Sequence, residues 1–330
     1  MKLQPPRGTR DFLPAEMSRR REMMERIRSV FVSYGYGEIQ TPAFEDFELL
    51  AKKSGAEIEK EIYTFEDKSG RKLGLRFDLT VPVCRVVATN PNLKKPAKFY
   101  YITNTWRYDE PQKGRFREFW QAGVELVGSK SLESDAEILA VVSDALKAAG
   151  IKNFYFKINS RRIVEKIIEE TGIAASKKED VFRAIDKLGK TGEENVRKEL
   201  EACGISAKNI EKFFSLIESN KSESREFEEL QRIKEIAEAM GAENIRIDFS
   251  VVRGIGYYTG FVFEALVKGS ENIGAIAGGG RYDSLIGIYS GNDVPATGFS
   301  IGVDRLMETV KSGEDFIPAK FFVASIDEKS

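Results

Sequence analysis

Gln121, Gly123 and Glu125 alternate along one short segment behind Arg117, while Trp120, Ala122, Val124 and Leu126 take the intervening positions. A period of two is a strand, with an apolar face on one side. The opposite face offers an amide, a position without a side chain and a carboxylate, which suits the floor of a small-molecule pocket. A hairpin with one solvated face would alternate in the same way. The preceding segment repeats the period, with Thr103, Thr105 and Arg107 on one face and Tyr100, Ile102 and Trp106 on the other. Between the two, a loop over 108–115 gathers Asp109, Glu110, Lys113 and Arg115 around a Pro-Gln-Lys-Gly turn. So many forked donors beside one hairpin suit a polyanion such as a nucleoside triphosphate.

Three further clusters have residue types that fit such a site. In Val252-Arg253-Gly254-Ile255-Gly256-Tyr257-Tyr258-Thr259-Gly260 an arginine leaves a strand into a loop with paired tyrosines. Its glycines permit close backbone approach to a ligand, and its hydroxyls can hydrogen-bond one; a glycine-rich connection with two packing aromatics reads the same. In Leu75-Arg76-Phe77-Asp78-Leu79-Thr80-Val81-Pro82 a strand end delivers an acid and a hydroxyl before a helix with proline in its first turn. Asp78 and Thr80 there either cap the helix or hold a substrate ammonium. The third cluster pairs the run Gly278-Gly279-Gly280-Arg281 with residues 295–305, where a helix over about 299–311 would place Gly298, Ile301, Gly302 and Arg305 on one face. The glycine run lacks the Lys-Ser/Thr of a phosphate-binding P-loop and the dinucleotide-binding spacing.

The chain of 330 residues contains no histidine and only two cysteines, Cys84 and Cys203. His-based triads and His–metal cages are therefore excluded, and a structural zinc site is not expected. Arginines, carboxylates, tyrosines and hard cations remain, the inventory of phosphate chemistry. Hydrophobic residues at 42% and charged ones at 31% describe a soluble globular protein with room for more than one domain. No apolar run suits a membrane span, the N-terminus lacks a signal peptide, and the cysteines suggest no disulfide framework, so a cytoplasmic setting is expected. A net charge of −1 neither announces nor excludes a nucleic-acid partner.

The elements that must position these clusters follow from periodicity. Met23, Ile27, Val30 and Phe31 predict an amphipathic helix over 15–34 that stops at Gly35, followed by a short strand over 37–41. Segments 62–67 and 72–77 flank Lys68-Ser69-Gly70-Arg71, a hairpin signal. Ser134 and Glu137 read as a capping box for a helix ending at Gly150. A strand over 153–158 leads through Asn159-Ser160 into a helix ending near Gly172. Four charge-rich helical patterns then fill 177–188, 192–203, 207–218 and 225–240, predicting a separate helical insertion over 173–242. Strand character returns at 244–252, 261–268 and 275–277, and a last helix closes at Gly313. Residues 320–326 look like the opening strand of a further domain.

These clusters, in this order, resemble the class II aminoacyl-tRNA synthetases and, within them, the histidyl-tRNA synthetases. The likeness starts at Pro6-Arg7-Gly8-Thr9-Arg10-Asp11-Phe12 and includes Gly37-Glu38-Ile39-Gln40-Thr41-Pro42, similar to motif 1. Residues 106–125 are similar to motif 2, residues 298–305 to motif 3, and residues 253–260 to the histidine-specific signature, with Gly256 where many members carry aspartate. The resemblance implies an α+β fold, a six- or seven-stranded antiparallel sheet flanked by helices with a helical insertion. Its implied parts are a catalytic domain split over 1–172 and 243–318, the insertion over 173–242, and the start of a truncated or absent anticodon-binding domain over 319–330.

By the same resemblance the chain is a homodimer joined through motif 1. It would activate histidine with ATP and transfer it to tRNA(His), with Mg²⁺ bound mainly through ATP. Arg107 would hold the α-phosphate, with Arg253 approaching from the opposite side. Glu110 would read adenine, and Arg115 and Arg305 would hold the outer phosphates. Asp78, Thr80 and Gln121 would seat the ammonium and carboxylate of histidine, while Glu125 and Tyr258 bind its imidazole beside Tyr257. The main alternative is the synthetase-like regulatory subunit of ATP phosphoribosyltransferase, which shares the fold and binds histidine without activating it. A module binding uncharged tRNA is a third. The presence of Arg107, Arg115, Arg253 and Arg305 together favours the enzyme.

Overall fold

The computed structural model describes residues 3–52, 56–112, 114–219 and 222–310. The strand expected over 320–326 and the helix end at Gly313 lie outside the described residues. Met23, Ile27 and Phe31 form the buried side of α1 (Pro14–Ser33), and the chain turns away through Gly35 at φ +81°. The strand expected over 37–41 shortens to β1 (Gly37–Glu38). Beyond it, the carbonyls of Thr41 and Pro42 turn to the buried guanidinium of Arg76, at 2.7 and 3.1 Å, instead of a neighbouring strand.

A small antiparallel sheet follows, in the order β2-β4-β3, from β2 (Phe44–Asp46), β3 (Thr64–Glu66) and β4 (Lys72–Leu75), with α2 (Phe47–Ala51) and α3 (Ala56–Glu61) between the first two. Its hairpin is the expected one. The Asp67 carboxylate accepts the N–H groups of Ser69 and Arg71, and Gly70 takes φ +76°. In α4 (Thr80–Thr89) the N-cap position falls on Leu79. Asp78 still takes one orphan N–H, that of Val81 at 3.3 Å, whereas the Thr80 hydroxyl bonds elsewhere.

The main sheet begins with the long hairpin of β5 (Ala97–Trp106) and β6 (Glu118–Val127), paired from Ala97↔Val127 to Trp106↔Glu118. Next comes α5 (Leu132–Ala148), whose start corrects the expected capping box. The helix begins ahead of Ser134, whose hydroxyl bonds Ser129, and Glu137 accepts from Tyr36 and Lys98. Those tertiary donors outcompete the local N–H. After β7 (Phe154–Ser160) and α6 (Arg161–Thr171), ended by left-handed Gly172, come α7 (Lys178–Asp186), α8 (Leu188–Thr191), α9 (Glu193–Ala202), α10 (Ala207–Ser219) and α11 (Arg225–Ala239). The expected strand over 244–252 reduces to β8 (Ile245–Ile247), because Asp248 folds back on Ser250.

The sheet is completed by β9 (Phe261–Val267), β10 (Ala277–Arg281) and, after α12 (Leu285–Ser290), β11 (Ala296–Gly302), which leads directly into α13 (Val303–Thr309). The last pair corrects the helix expected over 299–311. Thr297, Phe299 and Ile301 alternate with Gly298, Ser300 and Gly302, a strand period of residues with poor helix propensity. Pairing with β6 on one side and β10 on the other fixes that choice. Arg305 therefore sits in the first turn of α13.

Among the described residues the strand order is β1-β5-β6-β11-β10-β9-β7-β8, eight strands where six or seven were expected. The edge strands β1 and β8 pair parallel, and the strands between them run antiparallel. One face packs on α1, α5 and the helices from α6 to α11 in a continuous apolar core. A second core on the other side joins α4 and α12 to Tyr257, Tyr258 and Tyr282.

Candidate active site

On the sheet face away from α5 lies a cleft whose empty space, open mouth included, is about 950 Å³. Its walls come from β5, β6, β10, β11, the loop before α4, the motif 2 loop and the loop after Val252. Four guanidinium groups from separate segments face it: Arg107, Arg115, Arg253 and Arg305. Each is held by its own scaffold. Arg107 Nε donates to the Phe77 carbonyl at 3.0 Å, and Arg115 pairs with Asp109 at 3.2 Å. Arg305 donates to the carbonyls of Ala275 (2.7 Å) and Gly114 (3.3 Å), while Arg253 pairs with Glu264 at 2.9 Å.

The electrostatics register this crowding. Burial, followed by repulsion from Arg115, Arg107 and Arg253, pulls Arg305 down to about 10. Arg107 and Arg305 hydrogen-bond main-chain carbonyls rather than carboxylates, and guanidinium charge gathered in this way suits an anion. Burial works against the charge of Arg253 too, but Tyr258 and Glu264 outweigh it and raise its pKa.

Beside the arginines is a dense polar nest. Glu125 is 1% exposed, standing just behind the wall rather than on it. Its Oε1 accepts from Thr80 (2.7 Å) and Tyr101 (3.5 Å), and its Oε2 accepts from the Tyr282 hydroxyl. Burial pushes this carboxyl up to about 8 against the lowering effect of Tyr282 and Thr80. Gly298 makes room for it, since a Cβ there would lie 1.9 Å from Oε2. Asp78 accepts from the Tyr257 hydroxyl at 3.0 Å, and burial raises its pKa while Arg107 opposes. Gln121 donates weakly to Ser300 at 3.4 Å, and its own carbonyl oxygen is buried without a partner. An orphaned acceptor in a cleft wall is ready for a ligand N–H.

Asp78, Thr80, Arg107, Arg115, Gln121, Arg253, Tyr257, Tyr258 and Arg305 thus all line the one cleft, with Glu125 behind it. Glu110 stands outside the wall, its exposed carboxylate on Arg7 at 2.8 Å. Several wall residues escaped the sequence reading. Tyr101 shares the face of Thr103 by simple alternation and was legible in principle. Tyr282 and Asp304 carried no local signal. Asp304 accepts from Arg10 (2.5 Å), buried Arg20 (2.9 Å) and the Trp120 N–H (2.7 Å), fixing the start of α13 beside Arg305.

Among the described residues no group of three or more His, Cys, Asp or Glu could hold a metal ion, and no helix is long and apolar enough to cross a membrane. The family model for histidyl-tRNA synthetase matches residues 8–306. The chain is 42% identical to the histidine–tRNA ligase of Pyrobaculum islandicum, covering 98% of this chain and 79% of that one. Against the histidine–tRNA ligase of Pyrococcus abyssi it is 41% identical, over 91% of this chain and 74% of the other. The crystal structure of histidyl-tRNA synthetase from Nostoc sp. PCC 7120 superposes with a TM-score of 0.80 at 30% identity, covering 93% of this chain and 75% of that one. A Bacillus halodurans C structure, described as an ATP phosphoribosyltransferase regulatory subunit/histidyl-tRNA synthetase, also gives 0.80, at 26% identity over 93% of this chain and 83% of the other.

Proposed function

This chain belongs to the histidyl-tRNA synthetase family, and from that premise we propose how its cleft performs the ligase reaction. The chain is an aminoacyl-tRNA synthetase that joins histidine to tRNA at the expense of ATP. The regulatory-subunit alternative is not favoured. In the first step the histidine carboxylate attacks the α-phosphorus, forming the acyl–phosphate bond of histidyl-adenylate as the bond to pyrophosphate breaks. Two anions must meet, so the task is neutralising charge as the pentacoordinate state forms. Arg107 and Arg253 do this from opposite sides of the α-phosphate, and Arg115 and Arg305 receive the outer phosphates. The nucleophile is already ionised and needs no general base, which is compatible with a chain that lacks histidine.

Asp78, Thr80 and Gln121 seat the ammonium and carboxylate groups of the amino acid, and Glu125, Tyr257 and Tyr258 form its side-chain pocket. Glu110 reaches adenine only if the motif 2 loop leaves Arg7. Mg²⁺ fits as an ion carried on the outer phosphates, since it is commonly held by substrate phosphates with only one or two carboxylates. There it would supply charge neutralisation; Asp109 and Glu264 are carboxylates already paired with cleft arginines. In the proposed division, residues 1–172 and 243–318 form the catalytic unit and 173–242 an inserted helical unit. The crossover from β7 to its parallel neighbour β8, which runs through α6–α11, supports it. A cytoplasmic homodimer acting on tRNA(His) completes the reading.

The convergence of four guanidinium groups on one cleft carries this conclusion. The test is exchange of labelled pyrophosphate into ATP. Exchange that requires histidine is expected, and none at saturating ATP, histidine and Mg²⁺ would refute adenylate formation.

A further inference from the structure

Arg253 has an unusual backbone. Its φ of +58° is in the left-handed region, uncommon for a residue with a side chain, and it follows a loop without regular structure. Something must hold it there. The end of β7 supplies a row of three polar residues at strand spacing, continuing into the first residue of α6. Lys157 pairs with Asp248 at 2.7 Å, and the buried Asn159 amide donates to the carbonyls of Phe249 (3.0 Å) and Val251 (2.9 Å). Arg161, 4% exposed, donates from one nitrogen to the carbonyls of Val252 and Arg253, both at 3.2 Å. The row splints the loop residue by residue up to the catalytic arginine.

Arg161 is itself anchored to the helical segment. Its guanidinium lies 3.9 Å from the ring centre of Phe182 in α7. The same helix ends at Asp186, against which Gly254 packs so closely that a Cβ would fall 2.8 Å from the carboxylate. The loop is thus gripped on both sides of Arg253 by β7, α6 and α7.

We propose that Arg161 is a positioning residue for Arg253, holding its left-handed backbone so that the guanidinium points at the α-phosphate, with Phe182 coupling this grip to the helical unit. The inference rests on the assignment of Arg253 to adenylate formation. Misplacement of such a group by about an ångström costs roughly 100-fold in rate. In pyrophosphate exchange, Arg161→Met should therefore lower kcat by about 10- to 100-fold while histidine Kd stays within about threefold. Arg161→Lys, which keeps the charge as a point donor, should show a smaller loss of the same kind. Phe182→Leu should follow Arg161→Lys. The deciding measurement is the double variant with Arg253→Lys. If Arg161 acts through Arg253, the second substitution adds little to the first.

Losses that multiply, or an equal loss of histidine affinity, would overturn the proposal, and Arg161→Lys and Phe182→Leu carry the same test if the methionine variant does not fold. Histidine-dependent exchange by the wild-type chain separates this outcome from failure of the adenylate reading.

Discussion

Arg253 on the cleft wall and Glu125 behind it illustrate opposite uses of burial. At Arg253, the neighbouring Tyr258 and Glu264 outweigh burial and keep a guanidinium charged where a transferring phosphate would need it. A lysine would keep the charge but lose the planar fork. Arg253→Lys should therefore lower turnover by about 100-fold with histidine Kd changed by less than about threefold. Single-turnover kinetics beside a binding isotherm would check it, and matched losses would contradict the assigned role.

At Glu125 burial acts the other way. Burial pushes its carboxyl up to about 8 in the folded chain, against 4.5 as its ordinary value. Between those values the folded state binds more protons than the unfolded one. Its contribution to stability is complete below 4.5 and is lost as pH rises through about 8. Glu125→Gln removes that slope. Urea unfolding from pH 5 to 9 should show the wild type losing ground to the variant by at most about 1.4 kcal/mol per pH unit. Parallel curves would show that the carboxyl ionises normally.

At the scale of elements, the glycine run of β10 separates chemistry from architecture within two adjacent positions. A Cβ on Gly278 would meet the tip of the Arg253 side chain at 2.5 Å, a group able to move aside. On Gly279 it would meet the Gly298 carbonyl oxygen at 2.1 Å and the Phe299 Cα at 2.7 Å, which belong to the next strand. Gly278→Ala should thus depress pyrophosphate exchange by about 100-fold with little change in Tm. Gly279→Ala should destabilise the fold by about 1–3 kcal/mol or more, through enforced separation of β10 and β11. Thermal melts and exchange assays on both proteins distinguish the two effects, and a similar response from both would refute the distinction. The alternation in β6 follows the same logic, with Ala122, Val124 and Leu126 in the core and Gln121 and Glu125 toward the cleft. Here strand periodicity alone was enough, because each side chain's face follows from its parity.

At the scale of the whole molecule, the small sheet presents Phe44 and Phe65, 49% and 41% exposed, with their rings edge-to-face at 5.8 Å. Exposed aromatics on a sheet next to the motif 1 segment support the proposed homodimer. Replacing both with serine should shift the sedimentation coefficient from that of a dimer to that of a single chain. A wild type that already sediments as one chain would end the dimer proposal.

Period-two alternation set the two faces of β5 and β6, helical spacing set the buried side of α1, and the absence of histidine limited the chemistry to arginines and carboxylates. Those properties depend on residue type and local spacing, so they are present in the chain before it folds. Which segments meet is a different matter. Tyr282 reaching Glu125, Asp304 gathering Arg10 and Arg20, and Arg161 gripping the carbonyl of Arg253 bring together residues far apart in sequence. Even the strand identity of residues 296–302 depended on having β6 and β10 on either side. Such contacts exist only once the sheet has brought its strands together, because no local preference encodes a partner so far off in the sequence.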